Sequence, residues 1–112
     1  MRIAFTTKTT DENAEIDARF GRADFFMIYD EDADKYEVIG NKEAVEMGHG
    51  AGPKAAQTLF VHNPDVVITG NGPGGNAATI FTRKGIKVYI GAAEMTIKQA
   101  YEAYKNNELK EF

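Results

Sequence analysis

Three short stretches hold the residues in this chain best suited to gripping a ligand. The first is Gly70-Asn71-Gly72-Pro73-Gly74-Gly75-Asn76, which lies between an apolar run and a helical pattern. Glycine admits φ > 0 and lets backbone N–H groups come close to a bound group. A helix starting there adds a partial positive charge, so the chemistry on offer is anion binding by Asn71, Gly72, Gly74, Gly75 and Asn76. No Gly-Lys-Ser/Thr follows, which excludes a Walker loop, and Gly-x-Gly-x-Gly-Gly is not the dinucleotide spacing. A tight turn with no ligand competes with this reading.

The second stretch is Met47-Gly48-His49-Gly50-Ala51-Gly52. A histidine between two glycines has little side-chain cover. His49 could ligate a soft or borderline metal, with the Met47 thioether as partner and Gly50 and Gly52 beside it. One histidine is not a metal site, and an exposed loop residue is the competing reading. His62 falls near a helix end, where it caps carbonyls or faces solvent. The third stretch is Arg19-Phe20-Gly21-Arg22. Arginine stays charged, and its planar fork suits oxyanions or sulfur-rich anions, which makes Arg19, Gly21 and Arg22 candidates. Ion pairs with Asp17 and Asp24 compete, more strongly for Arg19 than for Arg22. Phe20 reads as core or as an anchor for the loop.

The elements that must position these stretches follow from hydrophobic periodicity. Arg2 to Phe5 reads as a strand, and the polar segment 6–17 as loop with room for a helical turn. Asp24 to Tyr29 and Tyr36 to Ile39, joined by an acidic turn, predict a hairpin. Residues 41–52 read as loop, with Pro53 at the first position of a helix that Asn63-Pro64 stops. Asp65 to Thr69 is a β-branched strand. Ala77 to Phe81 predicts a helix ended by Gly85 in the left-handed region, and Ile86 to Ile90 a last strand. Thr96 caps a final helix with Ile97, Ala100, Tyr101 and Tyr104 on one face. The order β-β-β-α-β-α-β-α implies an α/β, three-layer domain with a mixed five-stranded sheet of ribonuclease H-like topology, one domain over residues 1–112. In that topology segments 6–22, 41–52, 70–76 and 91–94 leave the sheet at one edge, where open α/β sheets bind ligands.

Composition removes several alternatives. The chain has 112 residues, 43% of them hydrophobic and 27% charged, enough for one core without staples. It has no cysteine, so disulfides, thiolate zinc sites and thiolate-held iron–sulfur clusters are excluded. Thirteen basic residues are scattered among seventeen acidic ones, for a net charge of −4 and no basic stripe for nucleic acid. No apolar run reaches membrane-span length, and no leader pattern opens the chain, so a cytoplasmic protein is expected. The first strand carries no carboxylate for a two-metal nuclease, there is no serine anywhere, and His49 has no acid partner nearby in sequence. A hydrolase reading is poor, and no enzyme activity is expected.

Met1-Arg2-Ile3-Ala4, Arg19-Phe20-Gly21-Arg22-Ala23, His49-Gly50-Ala51-Gly52, Asp65 to Gly70, Gly72-Pro73-Gly74 and Gly85-Ile86-Lys87-Val88-Tyr89 occur in that order. Together they resemble the dinitrogenase iron–molybdenum cofactor biosynthesis family over essentially the whole chain. The resemblance implies the ribonuclease H-like fold, and binding or carriage of an iron–molybdenum cofactor precursor or a related molybdenum–copper sulfide cluster. It also implies that Gly21, Arg22, His49 and Gly72 to Gly75 line the binding edge. The family often has His before Phe-Gly-Arg. Arg19 stands there instead, which favours electrostatic holding over direct coordination.

The expected function is therefore a non-catalytic carrier of an anionic iron–sulfur or molybdenum-containing cluster. Without cysteine the cluster would be bound reversibly, and its charge met by Arg19, Arg22, Lys54 and helix N-termini. Cluster-donor and cluster-acceptor proteins are the expected partners, with no partner-binding extension after Phe112. Two other classes stay open. One is an anion- or nucleotide-binding sensor on the same loops. The other is an interaction module in which an exposed strand-3 or strand-5 edge pairs two copies into a homodimer.

Overall fold

A computed structural model describes all 112 residues. Its elements in chain order are β1 (Arg2–Thr7), β2 (Phe25–Asp30), β3 (Lys35–Gly40), α1 (Lys42–Glu46), α2 (Ala51–Phe60), β4 (Val66–Ile68), α3 (Gly75–Arg83), β5 (Lys87–Ile90), α4 (Ile97–Lys105) and β6 (Lys110–Glu111). They form one mixed six-stranded sheet in the order β3-β2-β1-β4-β5-β6. β1 pairs antiparallel with β2 and parallel with β4, β4 parallel with β5, and β5 antiparallel with β6.

The strands read as apolar runs because the inner ones are covered on both faces. Side chains alternate between two cores. Ala4, Phe26, Ile28, Val67 and Val88 face Ala55, Leu59, Ala77 and Phe81 of α2 and α3. Ile3, Phe5, Met27, Val66 and Ile68 face Ile97 and Ala100 of α4, joined by Ala14 and Ile16 from the long segment after β1. This is the expected three-layer arrangement of helix, sheet and helix. That segment contains no helix. It returns to the sheet through bridges from Thr7 to Ile16 and from Glu15 to Thr96.

The expected sheet of five strands is corrected to six. β6 has two residues, both exposed and polar, so it carries no hydrophobic period to read. It covers part of β5, so the strand-5 edge offered for dimer pairing is not free, whereas β3 remains an edge strand. The loop expected over 41–52 contains α1, a five-residue helix that buries only Ala44. α2 starts two residues earlier than expected, so Pro53 occupies its third position, where a missing N–H still removes no intrahelical bond.

Two end signals act as read. Gly85 ends the α3 turn at φ +71°. Thr96 caps α4 in a reciprocal box, accepting from the Gln99 N–H while the Gln99 side chain accepts from the Thr96 N–H. Thr96→Ala is expected to lower unfolding free energy by about 1 kcal/mol. Urea denaturation should show a shifted midpoint and an unchanged slope.

Candidate functional site

The four segments expected at one edge do meet there, through main-chain contacts. The Asn71 N–H donates to the Ala18 carbonyl at 2.8 Å, and the Gly91 N–H to the Gly70 carbonyl at 3.0 Å. A Cβ on Gly70 would lie 2.6 Å from Ala18 Cα, and a Cβ on Gly21 would lie 2.8 Å from the Gly52 nitrogen. Both are backbone-on-backbone contacts that no larger residue fits. Gly52 in turn faces Ala77 on α3, whose Cβ is 3.5 Å from where a Cβ on Gly52 would lie.

This packing sets the N-terminus of α2 beside that of α3 and opens a cleft of about 360 Å³ between them. Seven of the ten residues expected to hold an anion line it, namely Gly21, Arg22, Gly50, Gly52, Gly74, Gly75 and Asn76. Neither helix start is capped by a side chain, and neither has an acidic residue in its first turn. The first-turn amides of both are therefore left without a side-chain acceptor, and their partial positive charges converge uncompensated. A Cβ on Gly74 or Gly75 would meet nothing within 4 Å, so the cleft is open beside them.

The remaining candidates lie elsewhere. Arg19 is bound to Asp17, its Nε and Nη2 donating to the two carboxylate oxygens at 3.1 and 3.0 Å. It does not line the cleft, and the competing ion-pair reading describes it. Asn71 and Gly72 also lie outside the lining, Gly72 beneath the ring of Phe112. His49 is exposed without a hydrogen bond, and Met47 is exposed with its Cε over Gly50. Neither lines the cleft, and no three His, Cys, Asp or Glu side chains gather anywhere to hold a metal ion. Lys54 pairs with Glu43 at 3.0 Å. His62 is paired with Glu37 through Nδ1 at 2.9 Å, far from this edge in the fold.

Arg22 is largely occupied by protein. It donates through Nη1 to the carbonyls of Val45 (2.8 Å) and Met47 (2.5 Å) and through Nη2 to that of Gly48 (3.4 Å). It thus holds the exit of α1 and the approach to α2. Of five guanidinium donors, Nε–H and one Nη2–H have no protein acceptor, and Arg22 lines the cleft. Sequence reasoning missed Asn41. It is buried, and its Nδ2 donates to the carbonyls of Gly21 (3.0 Å) and Ala23 (2.8 Å), fixing the loop that meets Gly52. No local signal marks it, because the carbonyls it binds lie far back along the chain.

Asp17 supports the same edge from beneath. Burial would raise its pKa, but the hydrogen bonds and charge of Arg19 outweigh burial and hold the carboxyl below its ordinary 3.8. The Asp17 carbonyl accepts from the Thr6 hydroxyl at 2.8 Å, and the Thr69 hydroxyl lies 2.9 Å from that of Thr6.

The chain is thus a small mixed α/β domain in which two uncapped helix starts face one cleft at the loop edge of the sheet. The chain belongs to the dinitrogenase iron-molybdenum cofactor family, whose model matches residues 1–107. Among solved structures it is similar to the apo form of the orange protein from Desulfovibrio gigas, with a TM-score of 0.93, 31% identity, and coverage of 99% of this chain and 92% of that one. It is also similar to the NMR structure of a Thermotoga protein provisionally assigned as NifB, which belongs to the DUF35 family. There the TM-score is 0.83 at 32% identity, covering 98% and 91% of the two chains. No curated protein matches the sequence.

Two predictions test the framework. Gly21→Ala is expected to cost about 1–3 kcal/mol, because backbone must shift to admit the methyl, and calorimetry should show the lowered Tm. Asp17, depressed when folded, contributes stability that is complete above its unfolded value and is lost as pH falls through the folded one. Wild type should therefore lose urea resistance between about pH 5 and about pH 2 more steeply than Asp17→Asn.

Proposed function

We propose that this protein is a non-catalytic carrier that takes an anionic metal–sulfur cluster, or a precursor of one, into the cleft between α2 and α3 and releases it to a partner. The observation that carries the reading is the pair of uncapped, acid-free helix starts facing one cleft beside the spare donors of Arg22. Such a site stabilises negative charge by fixed dipoles and one cation, without a covalent ligand. A cargo held in this way leaves more readily than one bonded to cysteine thiolates, and the chain has none. Membership of the cofactor family supports a metal-containing cargo over other anions. His49 and Met47, on the segment that enters α2, are the proposed soft ligands should that segment fold over the cargo. The two glycines beside His49, Gly48 and Gly50, give it the backbone freedom to do so. The partners are cluster donors and acceptors, and the setting is the cytoplasm.

A second reading is favoured by one observation. The cleft itself is lined by no thioether or imidazole, so an oxyanion such as phosphate fits its donors as well.

Anaerobic titration with tetrathiomolybdate, iron–sulfur species and plain molybdate, followed by visible absorption and calorimetry, separates the two. Asn76→Asp puts a carboxylate in the first turn of α3. That favours the helix but opposes an anion, so it should weaken binding at least tenfold with no fall in Tm. His49→Ala should weaken uptake of the metal–sulfur species and leave molybdate unchanged. Saturable molybdate binding with no uptake of any metal–sulfur species would move the assignment to an oxyanion sensor. Binding indifferent to Asn76→Asp would remove the cleft from it.

A further inference from the structure

The loop that leads into α3 is held at its two ends, and between them only Pro73 is buried. On the sheet side Gly70 is pinned against Ala18, and the Asn71 N–H bonds the Ala18 carbonyl at 2.8 Å. On the helix side the Gly74 carbonyl accepts from the Ala78 N–H at 2.9 Å. Between these points the ring of Phe112 lies on Gly72, so close that a Cβ there would overlap its Cε1 and Cδ1. Phe112 reaches that seat from the other end of the chain. β6 pairs Glu111 with Tyr89 and Lys110 with Ile90, and the Phe112 N–H donates to the Val88 carbonyl at 2.8 Å.

Beyond Leu109, which packs against the core on the α4 side, the strap carrying Phe112 is lightly attached. It has two paired residues, an exposed Lys87–Glu111 ion pair at 3.7 Å and a bond from the Tyr89 hydroxyl to Glu111 at 3.3 Å. Phe112 is 56% exposed. A cavity of about 410 Å³, lined in part by Phe81, Ile86 and Val88, lies against it rather than packed core. Burial of this ring therefore adds little to global stability, and the ring rests on Gly72.

We infer that Phe112 is a positioning residue for the binding cleft. Its ring, delivered by β6, clamps Gly72 and so fixes the Gly72–Gly75 stretch whose amides open α3. The clamp itself is independent of what the cleft binds. Its effect on affinity rests on the anion-carrier reading above.

The test uses ¹⁵N relaxation on the full chain without ligand, then molybdate titration. In wild type the order parameters of Gly72, Gly74, Gly75 and Asn76 should be near about 0.85. In Phe112→Ala they should fall below about 0.6 while those of β1 and β4 stay unchanged. Phe112→Tyr should restore them, since it keeps the ring. Gly72→Ala perturbs the same contact from the opposite side. It should mobilise the stretch too, and the double variant should add nothing further, as expected for two halves of one contact. A stretch equally rigid in both single variants, or a loss of order spread evenly over the sheet, would overturn the clamp. Molybdate affinity should fall about three- to tenfold in Phe112→Ala. If wild type binds neither molybdate nor tetrathiomolybdate, the anion-binding reading of the cleft fails, and the relaxation result still decides the clamp.

Discussion

Two places where main chain lies directly on main chain govern the rest of this structure. Gly70 meets the backbone of Ala18, and Gly21 meets the backbone of Gly52. Neither contact admits a β-carbon. Through the first, the end of β4 is fastened to the long segment that follows β1. Through the second, the loop entering β2 is fastened to the start of α2. Because α2 then packs on α3 at Gly52 and Ala77, the separation of the two helix starts, and with it the cleft, follows from the absence of those two side chains.

The electrostatics of the edge are built by subtraction. Arg19 is neutralised by Asp17, Lys54 by Glu43, and most of Arg22 is spent on carbonyls of the loop after α1. What remains positive is the charge of Arg22, which no carboxylate pairs, and the main chain at the two helix starts. α4 makes the contrast, since its start is closed by a reciprocal capping box between Thr96 and Gln99. A helix start that a side chain could have capped, and that instead lies open on a shared cleft, retains its capacity for an external acceptor. Fixed dipoles of this kind need no rearrangement to receive charge, and they bind without the permanence of thiolate ligation.

Much of the architecture was legible because the sheet is covered on both faces. Val66 to Ile68 and Phe25 to Tyr29 are apolar without interruption, as buried strands must be, while Ala55, Ala56 and Leu59 keep the helical period. The convergence of the glycine stretches at one edge also followed from strand direction. β6 and α1 were not legible. Two polar residues and five mixed ones carry no periodic signal, and both elements exist only because a neighbouring strand or helix is there to receive them. The same holds for Asn41, whose two bonds join it to carbonyls about twenty residues earlier in the chain.

The sequence by itself determined the chemistry that could be present. Cysteine and serine are absent, the glycines sit before two helices, and the arginines flank Gly21. Tertiary structure decided which of those residues share a site. Arg19, Asn71, Gly72, His49 and Met47 carry suitable groups but stand outside the cleft, while Gly21, Arg22, Gly50, Gly52, Gly74, Gly75 and Asn76 face one another across it. The reason is physical. Residue type sets what an atom can donate or accept, but whether a donor is free depends on which acceptors the fold brings within about 3 Å of it. For Arg19 and most of Arg22 the fold supplied acceptors from the chain itself. For the starts of α2 and α3 it supplied no side-chain cap.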